Sequence, residues 1–420
     1  MNSNIKKTFI FFLIICLFAV LLINKPREIA IFVKVYVSES IYHIGTILFN
    51  NQVAAKRIEN DYKVKFLPET QLINLNFIKK KIEVEKTTAG YLNKDSFKTF
   101  FLENYDGNLI IFSAQGRISF VKNSILLKND INHLDKYQSS ITSNLNIEKI
   151  LDTYLEKNNI YISYVSALGG PCERLHLAKG EINLKNINFK IIYSTKECAS
   201  SIQSGKIAML MNEKKKIYLS TAADVLKNKN EQDLKPQDPN SIWGKTLEFK
   251  NENEEPIIFS SGHRNILGLI AHNGKIIATE NGPDGGDEIN LLIENGNYGW
   301  DIASYGKKYF TKINNFHYQD HEELGFVEPI LTFLPSLGIS QIISIPKNFN
   351  SHWKNNYLIG TLYGRHLLRI KFDKKYNKIM FVEKIFIGER IRDLTYLDID
   401  NVIVLALEDT GSIGIISNIK

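Results

Sequence analysis

From about Phe66 onward, short apolar runs alternate with polar turns. Leu109–Ser113 reads as a strand, Ala114-Gln115-Gly116 as a turn and Ile118–Val121 as the returning strand. The same shape recurs at Tyr357–Leu362, Tyr363-Gly364 and His366–Phe372. It returns once more at Val402–Leu407, Asp409-Thr410-Gly411 and Ser412–Ser417. Strand, glycine-bearing turn and strand is a hairpin signature. Strong apolar strands start near Leu109, Ile160, Ile217, Ile276, Tyr357 and Val402. Their spacing is irregular, roughly 45 to 80 residues, and its short end is about one four-stranded propeller blade. Six such strands predict six blades, each placing one apolar strand near a central axis. A β-sandwich with long loops produces the same texture. Beyond Phe66 only Ser143–Lys157 suggests a short helix.

The N-terminal pattern differs. Lys6-Lys7 precede an uninterrupted apolar run, Phe9–Ile23, which Asn24-Lys25-Pro26-Arg27 close. The run lies between a signal-peptide core and a full membrane span in length. Leu21, Leu22 and Ile23 stand where a cleavage site needs small residues, so an uncleaved signal anchor is expected over residues 1–27. Between 28 and 65, Ile29, Phe32, Val33, Tyr36 and Val37 recur at roughly helical spacing. This segment reads as a stalk or membrane-surface helix, or as a helix packed on the domain. The β domain then occupies 66–420. Basic residues flank both ends of the apolar run and orient it weakly. A single N-terminal anchor most simply serves an exported domain, which places the chain on the membrane, extracytoplasmic, on the periplasmic side.

Cysteine usage fits export. Cys16 lies in the anchor, which leaves Cys172 and Cys198 as a pair. They either close a disulfide loop, worth ~3 kcal/mol by loop entropy, or remain two buried thiols. Charge adds little. The chain carries 52 Lys+Arg against 45 Asp+Glu, a net +7, spread along its length. Clusters such as Lys79-Lys80-Lys81 and Lys214-Lys215-Lys216 are short and sit beside strand-like runs. Solvated turns explain them better than nucleic-acid binding.

Candidate chemistry concentrates in Gly262–Trp300. Gly262-His263-Arg264-Asn265 precedes a strand pair, and Thr279-Glu280-Asn281-Gly282-Pro283-Asp284-Gly285-Gly286-Asp287-Glu288 follows it. The second stretch gathers carboxylates and small, backbone-exposing residues into one turn, a mixture that hard cations such as Ca²⁺ favour. The ligand spacing is not that of an EF-hand, and an acidic surface turn accounts for the residues equally well.

Gly262–Asn265, Glu280–Asn290 and Asn297-Tyr298-Gly299-Trp300 together resemble the glucose/sorbosone dehydrogenase family. The likeness continues in Trp353–Leu362 and in Glu389-Arg390-Ile391-Arg392-Asp393-Leu394. It covers about Gly205 to Gly411 well and the upstream chain faintly. The resemblance implies an all-β, six-bladed propeller that uses pyrroloquinoline quinone (PQQ) and Ca²⁺ to oxidise a sugar. Arg264 and Asn265 then match quinone contacts, and Arg390 and Arg392 match arginines that face the quinone carboxylates. Guanidinium groups bind carboxylates in this bidentate way. The carbonyls of Gly282 and Pro283 match the holders of a catalytic Ca²⁺. Glu288 and the Tyr298 carbonyl match a second, structural Ca²⁺ site of some relatives. Asn281 and Asp287 are placed as substrate contacts.

The departures concern catalysis. A histidine base in a His-Gln-Ser-Gly-Arg-like motif corresponds to Ile202-Gln203-Ser204-Gly205-Lys206, with an aliphatic side chain at the base position. Losing a general base costs ~10²–10⁴ in rate. Leu267 replaces a quinone-contacting glutamine, and Tyr363 replaces a lysine. The other histidines do not obviously supply the base: His176 lies near Cys172, and His317 and His321 sit in a charged loop without helical pattern. Three readings follow: a PQQ-dependent sugar dehydrogenase with an unknown electron acceptor, an extracytoplasmic propeller that binds without redox chemistry, and, more weakly, a Ca²⁺-dependent hydrolase of the lactonase kind.

Overall fold

A computed structural model describes residues 75–88, 96–167, 172–199, 201–212, 215–223, 235–283, 285–306 and 321–418. The expected anchor and stalk, 1–27 and 28–65, lie outside the described residues. Among those described, no helix is long and apolar enough to cross a membrane.

Six antiparallel sheets follow one another along the chain. Blade 1 comprises Phe100–Tyr105, Asn108–Ser113, Ile118–Val121 and Ser139–Ser143. Blade 2 comprises Lys149–Glu156, Asn159–Ala167, Glu173–Glu181 and Phe189–Ser194. Blade 3 comprises Ile207–Met211, Lys215–Ala223, Lys245–Phe249 and Ile257–Ser261. Blade 4 comprises Ile266–His272, Lys275–Glu280, Asp287–Leu292 and Leu331–Phe333. Blade 5 comprises Ile339–Ser344, Tyr357–Thr361, His366–Phe372 and Ile379–Phe386. Blade 6 comprises Ile391–Leu397, Val402–Leu407, Ser412–Asn418 and, as its outer strand, Leu75–Lys81. That last pairing runs from Leu75 opposite Asn418 to Lys81 opposite Ser412, so one blade joins both ends of the described domain.

The first strand of each blade touches the first strand of the next, and the ring closes between blades 6 and 1. The architecture is a six-bladed propeller. The apolar strands that mark the blades in the sequence are not the axial ones, as expected, but the second strand of each blade. The reason is burial on both faces. A second strand is wedged between neighbouring blades and reads as one apolar run; Val402–Leu407 and Tyr357–Thr361 are buried throughout. The axial strands carry polar residues, among them Glu103, Asp152, Thr153 and Asp393. Lys149–Glu156 is one of them, which corrects the short helix expected over Ser143–Lys157.

The core is accordingly a set of wedges. Leu102, Leu109 and Ile111 of blade 1 pack with Leu397, Val404 and Ile413 of blade 6. Leu151, Tyr161 and Leu175 of blade 2 pack with Ile207, Leu219 and Leu247 of blade 3. Each such side chain, fully buried, contributes about 1.5–3 kcal/mol. Buried carboxylates pin blade to blade. Asp393 Oδ2 accepts the Leu102 N–H at 2.7 Å. Asp152 accepts the Ile207 N–H at 2.9 Å and pairs with Lys206 Nζ at 2.6 Å. Cys172 and Cys198 form a disulfide, which decides between the two readings of that pair.

Candidate functional site at the axial mouth

All six axial strands are the first of their blades and run the same way, so their starts open on one end of the axis. Loops joining second to third strands return to that end. Arg264-Asn265, Gly282-Pro283, Gly285-Gly286, Arg390 and the turn after Leu407 therefore share one mouth.

On the blade 4 side, Gly262 holds φ +72°, and a Cβ there would lie 2.2 Å from Asn297 Oδ1; only glycine lets the two segments meet. His263 is buried, stacks on Tyr298 at 4.7 Å and bridges Ser260 Oγ (2.8 Å) and Glu280 Oε2 (3.0 Å). Glu280 also accepts the Arg264 N–H. The Arg264 guanidinium lies 5.3 Å from the Trp300 ring, and its Nη1 donates to the carbonyls of Asn281 (2.6 Å) and Gly282 (2.8 Å). Asn281 N–H donates to Asn265 O at 2.9 Å. Arg264, Asn265, Asn281 and Gly282 are thus brought together. The Oδ1 atoms of Asn265 and Asn281 are buried without a hydrogen-bond partner among the described residues, a debt that a ligand's donor would settle.

Asp287 spends its charge on backbone. Its Oδ2 accepts N–H groups of Leu337 (2.8 Å), Gly338 (2.7 Å) and Ile339 (3.3 Å), and Oδ1 accepts that of Gly282 (3.1 Å). Burial pushes this carboxyl above its ordinary value, although the Ser336 hydroxyl and the N–H groups of Ile339, Gly338 and Leu337 pull it down. Pro283 O accepts from Ser336 Oγ at 3.4 Å. Glu288 is buried, and burial followed by the Glu280 charge drives its carboxyl well above the usual carboxylate range. Asn290 Nδ2 donates to it at 3.2 Å, and His321 Nε2 lies 3.8 Å away. The Tyr298 hydroxyl donates to Leu291 O at 2.6 Å.

Across the mouth, Arg390 and Arg392 meet a fully buried carboxylate that sequence reasoning missed. Arg392 Nε donates to Glu408 Oε1 at 2.6 Å, and Arg390 Nε to Oε2 at 3.2 Å. Burial alone would raise the Glu408 carboxyl, but Arg392 and Arg390 outweigh it and hold it down to about 2. The Arg390 guanidinium covers the Phe97 ring at 4.1 Å. The Nη groups of both arginines make no hydrogen bond among the described residues. The one signal for Glu408 in the sequence was a carboxylate directly after an unbroken apolar strand.

Ile202, at the expected base position, is buried in the wedge between blades 2 and 3. Beside it, Lys149 Nζ donates to Ile202 O at 2.6 Å. Burial lowers the Lys149 ammonium, Glu173 and Glu148 oppose this, and Arg392 adds to it. Leu267 is buried and Tyr363 exposed. Asp284 and His317 lie outside the described residues.

Residues 96–415 match the family model described as glucose/sorbosone dehydrogenase. The chain belongs to that family. An uncharacterised protein of Synechocystis is 30% identical over 168 residues, covering 39% of this chain and 40% of the relative. Quinoprotein glucose dehydrogenase B of Acinetobacter calcoaceticus is 36% identical over 88 residues, 18% of each chain. These alignments span less than half the length of either relative. Among solved structures, a glucose dehydrogenase superposes with TM-score 0.64 at 21% identity, covering 76% of this chain and 96% of the other. The PQQ-bound aldose sugar dehydrogenase of Streptomyces coelicolor superposes with TM-score 0.55 at 17% identity, covering 82% and 99%. At such identities the superpositions establish the fold.

Proposed function

We propose that this chain binds PQQ at the axial mouth and oxidises a sugar, an aldose at its C1 hydroxyl. The observation that carries the reading is the pair Arg390 and Arg392, whose unengaged Nη forks match a ligand rich in carboxylates. The unsatisfied Asn265 Oδ1 adds a polar group at the start of blade 4, one blade removed from the arginines. When bound, the quinone supplies a two-electron acceptor. The residues of this chain would grip its carboxylates through the two arginines and bring neighbouring polar groups to it through Asn265 and Arg264. Sugar contact falls to Asn281; both oxygens of Asp287 already serve backbone donors, so it orders the turn instead.

Calcium fits the present arrangement poorly. The Gly282 carbonyl accepts a guanidinium N–H, so a cation there would have to displace Arg264. Among the described residues, no group of three or more His, Cys, Asp or Glu side chains is arranged to hold a metal. No step is assigned to calcium. The buried aliphatic Ile202 favours a second reading, a propeller that binds the quinone or a carbohydrate without turnover. We place the domain outside the cytoplasm, membrane-tethered on the periplasmic side, a setting that suits the Cys172–Cys198 disulfide.

Dye-linked assays of the purified chain with PQQ and a panel of aldoses test the reading. Sugar-dependent dye reduction supports the dehydrogenase. Quinone binding without reduction supports the binding protein, and absence of both rejects the PQQ site.

A further inference from the structure

Glu408 has no role in the function just proposed, yet its carboxylate joins two arginines and a threonine at the mouth. It follows the second strand of blade 6, Val402–Leu407, and its side chain is 0% exposed. Oε1 accepts from Arg392 Nε and also from Thr99 Oγ1, at 2.7 Å, across the junction with blade 1. Oε2 accepts from Arg390 Nε. Its backbone N–H donates to Arg390 O at 2.9 Å, and its carbonyl accepts the Lys98 N–H at 3.0 Å. Main chain and side chain are both fixed.

The chemistry of the contacts matters. An arginine has one Nε donor and two Nη groups. Glu408 takes the Nε donor from each arginine and leaves both Nη ends uncommitted. The carboxylate relieves the mutual repulsion of the two guanidinium groups, and the Asp409 carboxylate, paired with Arg365 at 3.5 Å, also acts on Arg390. A flexible arginine loses rotamer entropy when it binds, and one held in advance loses less.

We propose that Glu408 is a positioning residue, which pre-orients the Nη forks of Arg390 and Arg392 toward an anionic, carboxylate-bearing ligand. The proposal rests on the PQQ reading for the identity of that ligand, and on the geometry alone for the fixing of the arginines.

Electrostatics and positioning predict opposite signs. Glu408→Gln removes a negative charge from a site for an anion, which by itself tightens binding. It also turns an amide donor toward one Nε–H, which frees that arginine to rotate. Positioning predicts PQQ binding weaker by roughly tenfold, with partial recovery in Glu408→Asp. Affinity read from fluorescence quenching on PQQ addition decides the matter; equal or tighter binding by Glu408→Gln overturns the proposal. In unliganded full-length protein, the Nε–H protons of Arg390 and Arg392 should exchange slowly, and fast in Glu408→Gln; unchanged exchange also overturns it. If the wild type binds no PQQ, the functional reading fails, and the exchange measurement decides the role of Glu408. Should Glu408→Gln fail to fold, Thr99→Val takes the hydroxyl donor away from Oε1 while keeping the carboxylate. It is expected to weaken binding about threefold and to speed Arg392 Nε–H exchange; no change in either overturns the proposal.

Discussion

The two sides of the axial mouth use charge in opposite ways. On the blade 4 side, the acidic turn closes on itself. Asp287 serves four backbone N–H groups, Glu280 holds His263 and the Arg264 N–H, and Arg264 caps two carbonyls of the same turn. On the blade 6 side, Glu408 holds two arginines by one donor each and leaves the other donors uncommitted. A cluster rich in charged residues can therefore be scaffolding, while a sparser one keeps binding capacity. What separates them is how many donors and acceptors remain after the fold has taken its share.

The largest effect should come from Asp287→Ala. It strands several buried N–H groups at the junction of blades 4 and 5 and should cost about 4 kcal/mol in urea unfolding. A fully stable variant that loses only sugar oxidation would break the contrast, since Asp287 would then be a substrate contact. Next, Glu408 should set the acid limb of stability. Its folded value of about 2 lies below the ordinary 4.5, so its contribution is complete above pH 4.5 and is lost as pH falls toward 2. Roughly 3 kcal/mol should disappear over that window. Glu408→Gln should flatten it, and an unaltered acid limb would remove Glu408 from the account.

Arg392→Ala should weaken PQQ binding about 100-fold, near 2.7 kcal/mol, in a fluorescence titration. An equal affinity would move the binding capacity elsewhere. The smallest change is expected from Lys149→Met, about fivefold weaker PQQ binding, because its ammonium is partly committed to Ile202 O. A larger loss than that of Arg392→Ala would shift the anion site toward blade 2.

The hairpins at Leu109, Tyr357 and Val402 were legible because turns and twice-buried strands leave local marks. The number of blades was legible for the same reason. Which strand lines the axis was not, since Glu103, Asp152 and Asp393 interrupt the apolar pattern for reasons that lie in the neighbouring blade. The helix expected over Ser143–Lys157 fails likewise: Lys149–Glu156 is stabilised by its neighbours in the ring, not by its own period. In the site, Arg264 and Asn265 stand beside Asn281 and Gly282 through contacts between neighbouring loops. The commitment of Asp287 to Leu337, Gly338 and Ile339, some 50 residues away, has no local signature. Neither has the convergence of Thr99, Arg390 and Arg392 on Glu408.

The central claim is that the blade 6 arginines form the anion-binding side of a quinone site. Its most direct test is a PQQ titration of the full-length wild type beside the Arg390→Ala/Arg392→Ala double variant, with melting curves confirming that both are folded. Saturable binding by the wild type that the double variant loses is the expected result. No saturable binding by the wild type, or undiminished affinity in the double variant, would contradict the account.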